Sequence, residues 1–293
     1  MQTATTATTA TKKRRKEMGE VIHRIGRSPM AVAGLVILAV IFFLAIFADV
    51  IAPVHYAKQN LMHAFEPPSA QFWLGTDEFG RDILSRIIYG ARISLMVGFI
   101  SVGIAMCVGG VLGAVAGYYG GRTDNLIMRA MDILLSIPSI LLAIAIAASL
   151  GPGLFNLMIA VGIAAIPQYA RIVRGSVLSI RGQEFVEAAR AVGSSDARII
   201  FKHILPNCMA PIIVQGTLGV ATAILVAAGL SFIGLGTQPP IPEWGAMLSG
   251  GRSYIRDYPY MTLFPGIAIM LTILALNFVG DGLRDALDPK LKR

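Results

Sequence analysis

A chain that does chemistry carries reactive side chains in pairs at fixed spacings, and this chain of 293 residues holds few such pairs. His23, His55, His63 and His203 are scattered, without the close spacing of zinc ligands. Cys107 and Cys208 both fall in apolar stretches and read as buried thiols, not as a disulfide framework. The patterns GxSxG, HExxH and CxxC are absent, and so is any Gly-Lys pair that could bring a P-loop lysine to a phosphate. The apolar stretches hold no paired carboxylates for acid–base work. The sequence therefore nominates no catalytic residue and no metal site.

Charge gathers instead in 183–207, QEFVEAARAVGSSDARIIFKHILPN, the longest charged segment between strongly apolar ones. Its first part, 184–192, reads as a short amphipathic helix. Phe185, Ala188, Ala189 and Val192 lie on one side, with Glu184, Glu187 and Arg190 on the others. Gly193 suits the left-handed residue that ends a helix. Ser194 or Ser195 can cap a second helix, and Asp196 near its start suits the helix dipole. That helix runs through Ile199, Ile200 and His203 and meets Leu205 and Pro206. Helix, tight turn and helix fit a polar loop between two membrane spans. They also fit a DNA-binding helix-turn-helix, but the uncharged runs on both sides weigh against a free domain.

The elements that carry this segment are apolar. Hydrophobic residues make up 55% of the chain and charged ones 14%, the balance of a membrane protein. The net charge of +8 does not form one basic face, so no nucleic-acid partner is expected. Seven of the 25 Lys and Arg precede the first apolar span, including KKRRK at 12–16, six lie in or beside the central loop, and four lie near the C-terminus. That pattern places these three regions in the cytoplasm. The Thr/Ala-rich start, 1–10, reads as a disordered tail.

The first span is 30–48, with 19 uncharged residues, enough to cross roughly 30 Å of hydrocarbon. The segment 49–92 follows outside the cytoplasm, and its end, 81–93, reads as a surface amphipathic helix. The second span lies within 93–121, where Gly109, Gly113 and Gly117 form a stripe of small residues suited to close helix packing, and Gly121 falls past its end. A short charged cytoplasmic turn, 122–132, leads to 38 uncharged residues, 133–170. Gly151-Pro152-Gly153 divides these into spans at 133–150 and 154–170. The fifth span is 208–233 and the sixth lies within 259–280.

EAARAVG followed twelve positions after Gly193 by Leu205-Pro206 resembles the EAA loop of ABC-importer permeases. His203 stands where the general pattern has an apolar residue. The stretches 75–95, 116–139, 238–248 and 277–292 resemble the C-type permease subunit of dipeptide and oligopeptide importers, so the likeness covers nearly all the chain after residue 28. It implies an all-α, six-helix type I ABC-importer permease fold in a bacterial cell membrane, with both termini cytoplasmic. It divides the chain into a basic tail (1–29), a first transmembrane helix with an extracytoplasmic loop (30–91), a five-helix permease core with the EAA loop (92–283), and a second tail (284–293).

The resemblance implies that Glu184, Glu187, Ala188, Ala189, Arg190, Gly193, Asp196, Leu205 and Pro206 couple the chain to an ATPase. The expected partners are a second homologous permease, two cytoplasmic ATPase subunits, an extracytoplasmic solute-binding protein and the lipid bilayer. This chain would bind no cofactor, and ATP and Mg would belong to the ATPases. Leu248 to Arg252, LSGGR, nearly spells an ATPase signature, but it falls on the outer side and no P-loop accompanies it. Similar systems carry dipeptides, oligopeptides, glutathione, nickel or opines. An ion-coupled carrier is the competing class. The span centres lack the ionisable groups such coupling needs, since Asp281 sits at a span end. A membrane scaffold or sensor is the third reading, demoted by the resemblance alone.

Overall fold

The computed structural model describes Gly19 and residues 23–287. The basic run 12–16 and the last residues, 288–293, lie outside the described residues, as does most of the expected N-terminal tail.

Among the described residues every named element is helical. The helices that matter here are α1 (Pro29–Ile46), α2 (Ile83–Tyr119), α3 (Gly121–Leu135), α4 (Ser139–Leu150), α5 (Leu154–Ile180), α6 (Glu184–Ala191), α7 (Met209–Phe232), α8 (Trp244–Gly251) and α9 (Tyr260–Leu287). Five of them, α1, α2, α5, α7 and α9, are long and apolar enough to cross a membrane. The pair α3 and α4, bent by 86°, makes a sixth crossing if it acts as one broken span.

Local chemistry sets the helix ends. Ser28 accepts a hydrogen bond from the Ala31 amide at 3.3 Å and Pro29 opens α1, a side-chain cap followed by a residue that needs no amide partner. Asp82 caps α2 by accepting from the Ser85 amide at 2.8 Å, and Gly120, at φ +67°, ends it. Pro138, which lacks an amide hydrogen and disfavours helix in the residue before it, separates α3 from α4.

Several expected boundaries shift. The segment 81–93 is not a separate surface helix: α2 runs unbroken for 37 residues, about 55 Å, across the expected division at 91/92. Its charges do not stop it because neighbours answer them. Arg92 donates to the Ala45 carbonyl at 2.9 Å and pairs with Asp49 at 3.1 Å, and Arg86 reaches the Pro240 carbonyl at 3.3 Å. The expected turn 122–132 is helical, and Gly121 opens that helix, because its polar and apolar residues alternate at helical period and leave Asp124 and Met131 buried. The expected span 133–150 is therefore split. The fourth span does not stop at 170 but continues to Ile180, and the last helix continues past 283 to Leu287.

The glycine stripe sits where α2 lies along α5, the most extensive helix pair in the fold. A methyl group at Gly109 would lie 2.6 Å from the Ile166 carbonyl oxygen, and one at Gly117 would lie 2.9 Å from Val177 Cβ. At Gly113 it would overlap the Ala170 carbonyl still more closely. The main core runs through α1, α2, α5, α7, α8 and α9. At one end α8 tucks between the spans, with Trp244 buried and its indole donating to the Ile87 carbonyl at 3.1 Å. A smaller apolar cluster closes the other end, where 183–207 lies. Cys208 belongs to it and is buried as expected, whereas Cys107 is exposed.

Candidate functional site: the loop between two spans

The helix α6 begins three residues after α5 and ends at Ala191, and the turn beyond it passes through Gly193, whose φ of +77° is a conformation that side chains with a Cβ adopt at a cost. The Ser194 amide donates to the Ala189 carbonyl at 3.1 Å and the Gly193 amide to Arg190 at 3.0 Å, which closes the turn on the end of α6. Asp196 to Arg198 then start a short helical turn that widens to π-helix over Ile199–Ile204 and tightens to 3-10 over Leu205–Asn207. Pro206 has no amide hydrogen to continue a ladder, which accounts for the change of winding before α7.

The buried side of this loop is not the one its pattern suggests. Val186 and Ala189 face inward, with Ile199, Ile200 and Ile204, against Ala114 and Tyr118 of α2, Val173 and Val177 of α5 and Ile212 of α7. Phe185 and Val192, expected on the apolar side with Ala188 and Ala189, are 37% and 81% exposed. Glu184, Glu187, Ala188, Arg190 and Asp196 are also exposed, Leu205 is half-buried and Pro206 exposed. The outer surface of the loop thus combines carboxylates, the Arg190 and Arg198 guanidiniums and three uncovered apolar side chains, Phe185, Val192 and Phe201. That composition suits a protein surface better than solvent alone.

Polar contacts fix the loop to the spans beneath it. The Tyr118 hydroxyl at the end of α2 donates to Asp196 at 2.7 Å, and the Arg190 guanidinium lies 5.6 Å from the centre of the Tyr118 ring. Asp196 is thus engaged by a side chain, and Ser195 takes the expected N-cap position, though its hydroxyl makes no capping hydrogen bond. Arg181, just before α6, donates to the Gly117 carbonyl at 2.9 Å. One turn into α3, Asp124 accepts two hydrogen bonds from Arg174 of α5, at 2.5 and 2.6 Å, a two-pronged clamp between neighbouring helices. The sequence reading missed Tyr118, Asp124, Arg174 and Arg181 as parts of the site. Their signal is weak, an aromatic pair and isolated charges at span ends.

The site holds no nucleophile paired with a base, and no group of His, Cys, Asp or Glu suited to a metal occurs among the described residues. One small core and the Tyr118–Asp196 hydrogen bond join the loop to α2, α5 and α7.

Residues 109–293 match the family described as binding-protein-dependent transport system inner membrane component, and residues 17–68 match the N-terminal transmembrane domain of oligopeptide transport permease C. The chain is 53% identical to the dipeptide transport system permease protein DppC of Alkalihalophilus pseudofirmus, over 93% of this chain and 90% of that protein. It is 50% identical to the di/tripeptide transport system permease protein DppC of Pseudomonas aeruginosa, over 89% of this chain and 88% of that one. Against the glutathione transport system permease protein GsiD of Pectobacterium atrosepticum the identity is 46%, over 93% and 91%. Among solved structures, the inward-facing MetNI methionine ABC transporter shares the fold, with a TM-score of 0.57 at 20% identity over 70% of this chain and 98% of that one.

Proposed function

This chain belongs to the family of binding-protein-dependent inner membrane transport components, a multi-pass permease subunit that works with other subunits of an ABC system, and we propose that it carries di- and oligopeptides inward. The observation that carries the cargo reading is the 53% and 50% identity, over nearly the whole chain, to permeases named for dipeptides and di/tripeptides. The chain forms the translocation path with a second, homologous permease. Two cytoplasmic ATPases bind ATP and Mg, and an extracytoplasmic binding protein delivers the peptide. Both termini and 183–207 lie on the cytoplasmic side.

In this reading Glu184, Glu187, Ala188, Arg190 and Gly193 present α6 to an ATPase, and Phe185 and Val192 add the apolar contact. Closure of the ATPases moves α6, and the cluster of Val186, Ala189, Ile199, Ile200 and Ile204 carries the motion into the spans. Asp196, Leu205 and Pro206 hold the second half of the loop in register. A rigid link between α6 and three spans supports this role, because ATP energy can shift the spans only through contacts that differ between two states.

Glutathione is the second reading, favoured by relatives named for it at 46% to 48% identity. The deciding experiment is ATP-dependent uptake by the purified complex in proteoliposomes, with labelled Ala-Ala competed by glutathione. Uptake of Ala-Ala that excess glutathione leaves unchanged is expected. Uptake of glutathione alone would reassign the cargo, and a tagged chain that purifies without any ATPase would overturn the coupling role.

A further inference from the structure

Helices α2, α5 and α7 leave between them a cavity of about 410 Å³, near the bend between α3 and α4. Its walls are largely small and apolar, but Gln168, Gln215 and Thr222 line it. Gln168 stands near the middle of α5, Gln215 two turns into α7, and Thr222 two turns further along α7. The Tyr169 hydroxyl donates to the Gln215 carbonyl at 3.2 Å and draws the two helices together at this level. Neither glutamine side-chain amide finds a hydrogen-bond partner among the described residues, and Gln168 and Thr222 are exposed on this chain. Thr222 donates to its own helix, to the Leu218 carbonyl at 3.3 Å, which leaves its oxygen able to accept.

Hydrocarbon cannot satisfy an amide, so such groups midway along a span face water or other protein. Charge is scarce here. Arg171 at the rim is the charged residue lining the cavity, and it is matched by Asp132 at 2.9 Å. The wall therefore offers neutral donors and acceptors, the same two functions that a peptide bond presents.

We propose that Gln168, Gln215 and Thr222 are the cargo-facing stripe of the path and hydrogen-bond the backbone of the passing peptide. The inference rests on the peptide reading above and adds its recognition chemistry. A neutral stripe reads the backbone, which every peptide shares, and does not select by side-chain charge. The path is then indifferent to whether the cargo is acidic, basic or neutral, and any such preference arises in the binding protein.

The test is uptake of Ala-Ala, Lys-Ala and Asp-Ala by the complete transporter in proteoliposomes, with its binding protein and ATP. Gln168→Leu is expected to slow all three by a similar factor, roughly three- to tenfold, as loss of one hydrogen bond would. Gln168→Glu is expected to raise the Lys-Ala to Asp-Ala ratio by roughly threefold or more, from charge at close range. Both variants keep their ATPase subunits on purification. With Cys107 replaced by Ser, a cysteine at Gln168→Cys is expected to react with a water-soluble thiol reagent in the assembled transporter. Unchanged rates with an unchanged ratio overturn the inference. So does a cysteine that is unreactive because lipid or the second permease covers it. A wild-type transporter that takes up none of the three peptides overturns the peptide reading itself.

Discussion

Gly113 sits where two spans approach closely, and its neighbour Gly110 does not. A Cβ at Gly113 would overlap the Ala170 carbonyl, whereas one at Gly110 would meet nothing within 4 Å. Gly113→Ala should therefore destabilise the protein by about 1–3 kcal/mol, the usual cost of overpacking, while Gly110→Ala should be neutral or stabilising by up to ~1 kcal/mol through helix propensity. Thermal melting in detergent checks both. The spacing of Gly109, Gly113 and Gly117 was legible in the sequence, but the partner helix was not. Glu243 offers a second prediction at this scale. It caps α8 by accepting from the Gly245 and Ala246 amides, both at 2.9 Å, yet burial pushes its carboxyl above the ordinary value. A raised carboxyl pKa means that the folded state holds the proton longer than the unfolded one. Stability from this group is full below the ordinary value of 4.5 and falls as pH rises through the folded value. Melting temperature should show this slope in the wild type and lose it in Glu243→Gln.

Among the elements, α6 shows how far periodicity reaches. Its start, its length and the Gly193 turn follow from charge spacing and one glycine. Its buried face does not, because Val186 is buried by α2 and α5, which the local pattern cannot see. Glu187, Phe185 and Val192 are left exposed, and in the coupling role proposed above they would meet an ATPase. We expect Glu187→Lys to reverse the charge of this face, and Gly193→Pro to force φ from +77° to about −65° at a local cost of ~1–3 kcal/mol. Both variants should insert in the membrane normally yet lose most ATPase co-purification. Normal recovery of the ATPase and normal uptake in both would remove α6 from the coupling role. The broken pair α3 and α4 teaches the reverse lesson. A charged stretch before an apolar one reads as a turn, but the charges follow helical period, and Asp124 becomes one jaw of a clamp with Arg174.

For the whole molecule, the helices place 183–207 at one end and α8 with the segment after α7 at the other. Cysteines introduced at Ser195 and Gln238, both exposed, should react with an impermeant reagent from opposite sides of the membrane in a background lacking Cys107. Thr237 would be a poor reporter because it is buried. Labelling of both positions from one side would overturn the proposed topology.

Composition and spacing were enough to read that this chain lies in a membrane, where its main apolar runs fall, and that 183–207 is a helix, a glycine turn and a second helix, which the structure winds as α, π and 3-10 in turn. These depend on neighbours a few positions apart, and on the cost of placing charge in hydrocarbon. The covering partners settled that α2 runs through its charged start, which face of α6 is covered, and that Gln168, Gln215 and Thr222 meet around one cavity. Each depends on a partner distant in sequence: a carbonyl that answers an arginine, a helix that covers a valine, two spans that bring uncharged amides together. Spacing along one helix carries no information about what the other helix supplies.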